Sequence, residues 1–276
     1  MDIKEIRALV SLLDDEDQEV IAHVEQKIMS LGDVIIPFLE SEWETSFSTE
    51  VQRRIEDLIH NLQFETLCHR LHIWRQAEQD DLLRGLWIVA TYQYPDLDFK
   101  KLKKDFESIY HEVWLSHRTY ASPYDQIKNL NNVLYSKLGF SSNTQNLYAP
   151  SNSMINLVIE TRRGNPIALG TIYMMVAQRL RMPVFGVNLP NIFVLTYKSE
   201  EAQFYINAYN RGTVFPRSDI DSYIAQLKLE PEERFYEPCQ HLDIVRRVIV
   251  NLSLAFEKLG ETAKVEELRK VLEILT

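Results

Sequence analysis

Apolar residues in the first third of the chain recur every three or four positions, with polar residues between them. Ile3, Ile6, Leu9, Val10, Leu12 and Leu13 form one stripe, and Val20, Ile21, Val24 and Ile28 a second. Val51, Ile55, Leu58, Ile59 and Leu62 form another after the apolar run at 34–39. This spacing puts the apolar side chains on one face, so each run predicts an amphipathic helix. The acidic run 14–17 lies between the first two and suits a helix N-terminus, where carboxylates accept from unpaired N–H groups. Gly32 supplies a stop for the second helix. Helical spacing continues over residues 66–118. It runs through Leu67, Leu71 and Trp74, then Leu82, Leu83, Leu86, Ile88 and Val89, then Leu102, Phe106, Ile109, Val113 and Trp114.

The pattern changes after Pro123. Gly139, Ser141, Ser142, Asn143, Pro150, Asn152, Gly164, Asn165 and Pro166 are turn formers. A helix is predicted at 166–181. Short strands are predicted at 183–187, 193–197 and 203–209, with 198–201 as a hairpin turn. A helix on a small antiparallel sheet follows, so the expected fold class is α+β and α-rich. From near Pro238 the helical period returns through Leu242, Ile244, Val245, Val248, Ile249, Leu252, Leu254 and Phe256. Gly260 turns the chain into a last helix carrying Val265, Leu268, Val271 and Leu272. Three regions are expected: helical 1–120, an α+β core 121–230, and a helical hairpin 231–276. The early helix pairs, joined by an Asp-rich turn and closed by a glycine, resemble a HEAT-type repeat in one convincing copy. The final hairpin resembles a single tetratricopeptide-type unit.

Composition narrows the function. The 276 residues carry a net charge of −10, which repels phosphate, so neither nucleic acid nor an anionic membrane is an expected partner. The basic clusters at Arg162 and Arg163 and at 100–104 read as solvated charge. Two cysteines far apart, Cys68 and Cys239, form no disulfide framework. The first residues lack a leader's apolar core, and no apolar run is long enough for a membrane span. A cytoplasmic protein is expected. His60, Cys68, His69 and His72 lie close together, but no carboxylate or second cysteine stands at metal-ligand spacing, so no metal and no cofactor is expected. Trp87, Tyr92 and Tyr94 read as core aromatics.

Several words in 126–215 carry a resemblance. They are LNNVLY at 130–135, LGF at 138–140, then Asn143, Tyr148, Pro150, Asn152 and Ser153, then RRGNPI at 162–167, GVNLP at 186–190 and INAYNRG at 206–212. In this order they resemble the transglutaminase-like domain of the SirB1 family. The resemblance implies a papain- or transglutaminase-like core. It also implies a Cys-His-Asp site with the cysteine on the first turn of the core helix, where the helix dipole favours a thiolate.

Carried over residue by residue, none of the three roles is filled. The cysteine position holds Ala168, the histidine position Ile192 and the aspartate position Asn207. No catalytic residue is therefore assigned. Asn152, Arg162, Arg163, Asn165, Asn191, Asn207 and Asn210 are the polar residues expected to line a degenerate cleft that binds a ligand. The expected function is a catalytically inactive, protein-binding or scaffold module. The alternatives are a hydrolase, amidase or acyl-transfer enzyme of unrecognised mechanism in the same cleft, using Asn207, Thr171 or a recruited metal, and a purely structural role. Partner identity and oligomeric state are left open.

Overall fold

The computed structural model describes the backbone of residues 3–117 and 121–276, with side chains from residue 5 onward. It divides into two compact units, Met1–Ile73 and Trp74–Thr276. The expected boundary at 120 falls outside the described residues. The division lies instead within one long helix.

The first unit holds α1 (Ile3–Ser11), α2 (Gln18–Met29), α3 (Ile36–Thr45) and most of α4 (Thr49–Ala77). Asp17 accepts from the Glu19 N–H at 2.9 Å and starts α2, the role expected of the acidic run. Gly32, at φ +72°, follows its end. Ile6, Val10, Val24, Ile28, Leu39 and Ile55 are among the residues of its core, so the apolar stripes read from the sequence do meet.

The second unit begins at Trp74, whose fully buried ring donates from Nε1 to the Asp81 carbonyl at 2.9 Å. Three helices follow in order: α5 (Leu82–Ala90), α6 (Phe99–Trp114) and α7 (Pro123–Asn131), the last continuing through one wide turn, Asn132–Lys137. Apart from Arg84 and Trp87, every residue of α5 is buried, and the helix packs on α6, on α8 (Ile155–Thr161) and on α11 (His241–Leu259). These contacts place residues 74–117 in the same compact unit as the sheet. The period alone could not reveal this, because it reports that a helix has an apolar face and not what covers it.

The central helix is α9 (Pro166–Arg179), and ten of its residues are buried. It lies against a four-stranded antiparallel sheet in the order β3 (Val184–Asn188), β4 (Phe193–Lys198), β5 (Gln203–Asn207), β6 (Thr213–Phe215). The first three strands and their hairpin are where the sequence pattern predicts them. A fourth strand, a helix α10 (Arg217–Gln226) and a two-residue parallel pair, β1 (Ser141–Ser142) with β2 (Arg163–Gly164), were not expected. These segments are short. Only Ile220 and Ile224 are buried in α10, too few for a visible stripe.

One face of the sheet presents Phe193 and Leu195 to Gly170 of α9. The other face buries Val187, Val194 and Tyr205 against Ile220, Ile224, Phe235 and Tyr236. The chain closes with the α11 hairpin into α12 (Thr262–Ile274), turned by Gly260 at φ +78°. The fold is α+β and α-rich, with a helix on a small antiparallel sheet, as expected.

Candidate functional site

The N-terminus of α9 is built locally by RRGNPI. Arg162 ends α8 in the left-handed conformation, φ +60°, and its N–H donates to the Val158 carbonyl at 3.0 Å. Gly164 lets the chain pass close to α8, since a Cβ there would lie 2.9 Å from Val158. Asn165 is the helix cap. Its Oδ1 accepts from the Ala168 N–H at 2.9 Å, and its Nδ2 donates to Ser153 Oγ at 2.8 Å. Pro166 occupies the first turn, where its missing N–H costs nothing.

Ala168 therefore sits in the first turn of the core helix, as the resemblance implies, and its methyl is buried. The implied histidine position does not face it. Ile192 packs with the cluster on the α10 side of the sheet, the face away from α9. Asn207 lies one residue beyond the Leu195–Ile206 pair, at the end of β5. Its Oδ1 accepts from the Asn210 N–H at 3.1 Å, and its carbonyl accepts from the Gly212 N–H at 2.9 Å, which closes the turn into β6. Thr171 is fully buried and donates to the Ile167 carbonyl at 2.6 Å, so its hydroxyl is spent within the helix. The His60, Cys68, His69 and His72 run lies on α4. Among the described residues, no three His, Cys, Asp or Glu side chains are grouped as a metal would need.

The turn at 207–212 is braced from α7. Asn131 Nδ2 donates to the Gly212 carbonyl at 2.8 Å, and its Oδ1 accepts from Tyr173 Oη at 2.9 Å. Tyr135 donates from its hydroxyl to the Ala208 carbonyl at 2.7 Å. LNNVLY, one of the words behind the resemblance, thus ties the implied aspartate strand to the core helix.

An open cleft of about 280 Å³ lies at the α9 N-terminus, lined by Leu147, Tyr148, Asn165, Pro166, Tyr209 and Leu254 among others. It shares Asn251 and Leu254 with a second depression of about 580 Å³ that runs along α11 past Val250, Arg246 and Arg247 to Asn188 and Asn191. That one shares Asn188, Asp243 and Arg247 with a third, which reaches Pro190 and Cys239. The three depressions thus adjoin one another beside α11, a groove to which Arg246, Arg247, Val250, Asn251 and Leu254 contribute.

Of the polar residues proposed from the sequence, Asn165 and Asn191 line this groove, and the others do not. Asn152 is buried as a brace, accepting from Asn143 Nδ2 at 2.8 Å and donating to the Asn146 carbonyl at 2.6 Å. Arg162 stacks its guanidinium 4.9 Å over the Phe140 ring, and burial holds its pKa below the usual value. Arg163 is exposed on β2, and Asn207 and Asn210 are engaged in their own turn. Sequence reading missed Arg246, Arg247 and Asn251 of α11, whose polar face is the pattern of any solvated helix, and it placed Leu254 in the apolar stripe, whereas that side chain is 47% exposed.

Burial pushes the Cys239 thiol up to about 12, with the Asp243 carboxylate adding to the shift. The group is neutral when protonated and its folded pKa lies above its ordinary value. Its contribution to stability is complete below about pH 9 and is lost as pH rises toward 12. Iodoacetamide labelling of Cys239 in a Cys68→Ser background is expected to keep accelerating above pH 9. A plateau at pH 9 would show an ordinary thiol.

Residues 100–250 match a family profile described as the transglutaminase-like superfamily. The match covers more than half of the chain, which therefore belongs to that family. A UPF0162 protein of Xylella fastidiosa strain 9a5c is 30% identical over 194 residues, covering 66% of this chain and 69% of its own length. A UPF0162 protein of Pasteurella multocida is 33% identical over 78 residues, 28% of this chain and 30% of that one. Human F-box only protein 21 is 30% identical over 105 residues, 35% of this chain and 17% of its own. No solved structure matches the chain significantly.

Proposed function

We propose that this chain is a SirB1-type, catalytically inert member of the transglutaminase-like family, and that it binds another polypeptide in the groove along α11. The observation that carries this reading is the cleft at the α9 N-terminus. A buried methyl stands at the implied nucleophile position, and an open cleft at the same helix end, beside Asn165 and Pro166, is walled by Leu147, Tyr148 and Leu254, each about half exposed. Apolar side chains left in water around a concave surface are the usual mark of a binding site. The orientation of Ile192 adds support. A histidine there would point into the cluster around Ile220 and Tyr236, away from the α9 helix. The first helices are read as HEAT-like and the α11–α12 hairpin as tetratricopeptide-like, both surfaces suited to partners, in a cytoplasmic protein.

Two measurements test this. Incorporation of dansylcadaverine into dimethylcasein, and hydrolysis of a glutamine-containing peptide, should both proceed at the buffer rate. Turnover that disappears in a folded Asn207→Ala variant would establish an enzyme instead. Crosslinked capture from the native host should yield a partner with the wild-type chain that is lost with Leu254→Glu. Leu254 is 47% exposed, so this change leaves the core untouched. A partner retained by that variant would move the binding surface elsewhere.

A further inference from the structure

The groove carries a charge asymmetry that the resemblance does not account for. The chain as a whole is at −10, yet two arginines, Arg246 and Arg247, line the middle of the groove. Arg247 is half-buried. Its Nη1 donates to Asn188 Oδ1 and to the Leu189 carbonyl, the latter at 2.6 Å, which fixes the guanidinium at the end of β3. Neither contact is a carboxylate, so its charge is not neutralised there. Burial consequently lowers its pKa.

Arg246 makes no hydrogen bond or ion pair among the described residues. The other charged groups facing the groove are already engaged. Asp243 accepts from the Gln240 N–H at 3.0 Å in the capping box of α11. Glu237 pairs with Lys198, and Arg234 with Glu232 at 2.8 Å. An arginine desolvated without a carboxylate gains from an incoming one, in a fork geometry that an amide cannot match.

Helix geometry sets what lies beside it. Arg247, Val250, Asn251 and Leu254 are spaced to share one face of α11. Val250 and Leu254 are exposed, at 41% and 47%. At about 1.5 Å per residue, Leu254 lies roughly 10 Å along the axis from Arg247. An extended peptide rises about 3.3 Å per residue and covers that span in about three residues.

We infer that the groove selects an extended peptide with an acidic side chain seated at Arg246 and Arg247 and an apolar side chain about three residues away, seated on Leu254 beside Tyr148. This deepens the polypeptide-binding reading above and rests on it.

The test uses fluorescence anisotropy with the full chain. The probes are fluorescein-labelled Gly/Ser peptides with blocked ends, carrying one Glu and one Leu three positions apart in either order. Each has a Gln isostere. In one order, the Glu peptide is expected to bind at least tenfold more tightly than its Gln form. That advantage should weaken as salt rises and disappear in Arg246→Gln, a change at a side chain with no structural partner.

Equal binding of the Glu and Gln forms, lost in Leu254→Glu, overturns the carboxylate inference and leaves the groove reading standing. An advantage that survives Arg246→Gln overturns the assignment of the acid to this pair. No binding of any probe at millimolar concentration overturns the inference and the peptide-groove reading together.

Discussion

Phe193→Ala is expected to destabilise the sheet-containing unit by about 3–5 kcal/mol, the range for emptying a buried aromatic site. The Phe193 ring, 4% exposed, is the wedge between the core helix and the sheet. Two glycines make room for it. A Cβ on Gly170 of α9 would lie 2.9 Å from the ring, and one on Gly186 of β3 would lie 2.7 Å from it. With the ring gone, neither backbone can move in to fill the space, because both belong to elements fixed by other contacts, so a cavity persists. The fall should appear in the urea midpoint with the slope unchanged. Gly170→Ala alone should also destabilise, by overpacking. Combined with Phe193→Leu it should cost less than the two single changes added, since both act on one contact. A Phe193→Ala loss below about 1 kcal/mol would show that the helix and sheet are held by something other than this ring.

Gly212→Ala is expected to cost about 3 kcal/mol or more, from two causes acting together. The residue has φ +70°, a conformation that costs a side chain about 1–2 kcal/mol. A Cβ there would also lie 1.9 Å from Asn131 Oδ1, so Asn131 must leave its place. Its bonds to the Gly212 carbonyl and to the Tyr173 hydroxyl would go with it, each worth about 1 kcal/mol. Gly139→Ala is the internal control. Gly139 also has positive φ, +75°, but nothing lies within 4 Å of the added carbon. Only the backbone term applies, and its urea midpoint should fall by a third to a half as much. Equal losses in the two variants would show that the Asn131 brace carries no weight.

The two variants also separate the family's architecture from its chemistry. Phe193 and Gly212 lie in segments bearing the implied histidine and aspartate positions, and Asn131 lies in a word that carries the resemblance. In this chain all three serve packing and turn geometry. The words that carry the resemblance thus build the helix–sheet junction and the turn at 207–212. Ala168 shows the same separation, since it donates its N–H to the Asn165 cap and offers only a methyl.

The amphipathic periods of α1, α2 and α11 are each set within a few turns of helix, and they stand where the spacing puts them. So do β3, β4 and β5, whose apolar runs are bounded by turn residues. These features depend on neighbours in the chain, and the sequence alone determined them. Which residues stand at the three implied positions, Ala168, Ile192 and Asn207, is likewise a matter of sequence alone.

The tertiary structure decided the rest. Residues 74–117 join the sheet-containing unit because α5 is covered by α8 and α11, and no local pattern names the covering element. The pair β1–β2 and strand β6 are too short to carry a period; a contact between segments some twenty residues apart defines the first, and pairing with β5 defines the second. The seven polar residues proposed from the sequence divide in the same way. Asn165 and Asn191 reach the groove, whereas Asn152 and Arg162 are turned to bracing and stacking, because side-chain direction depends on what each residue packs against. Arg246 and Arg247 look like any charged helix face along the chain. Only the tertiary structure brings α11 across the end of β3 and leaves the Arg247 guanidinium half-buried, bonded to Asn188 and Leu189 and not to a carboxylate.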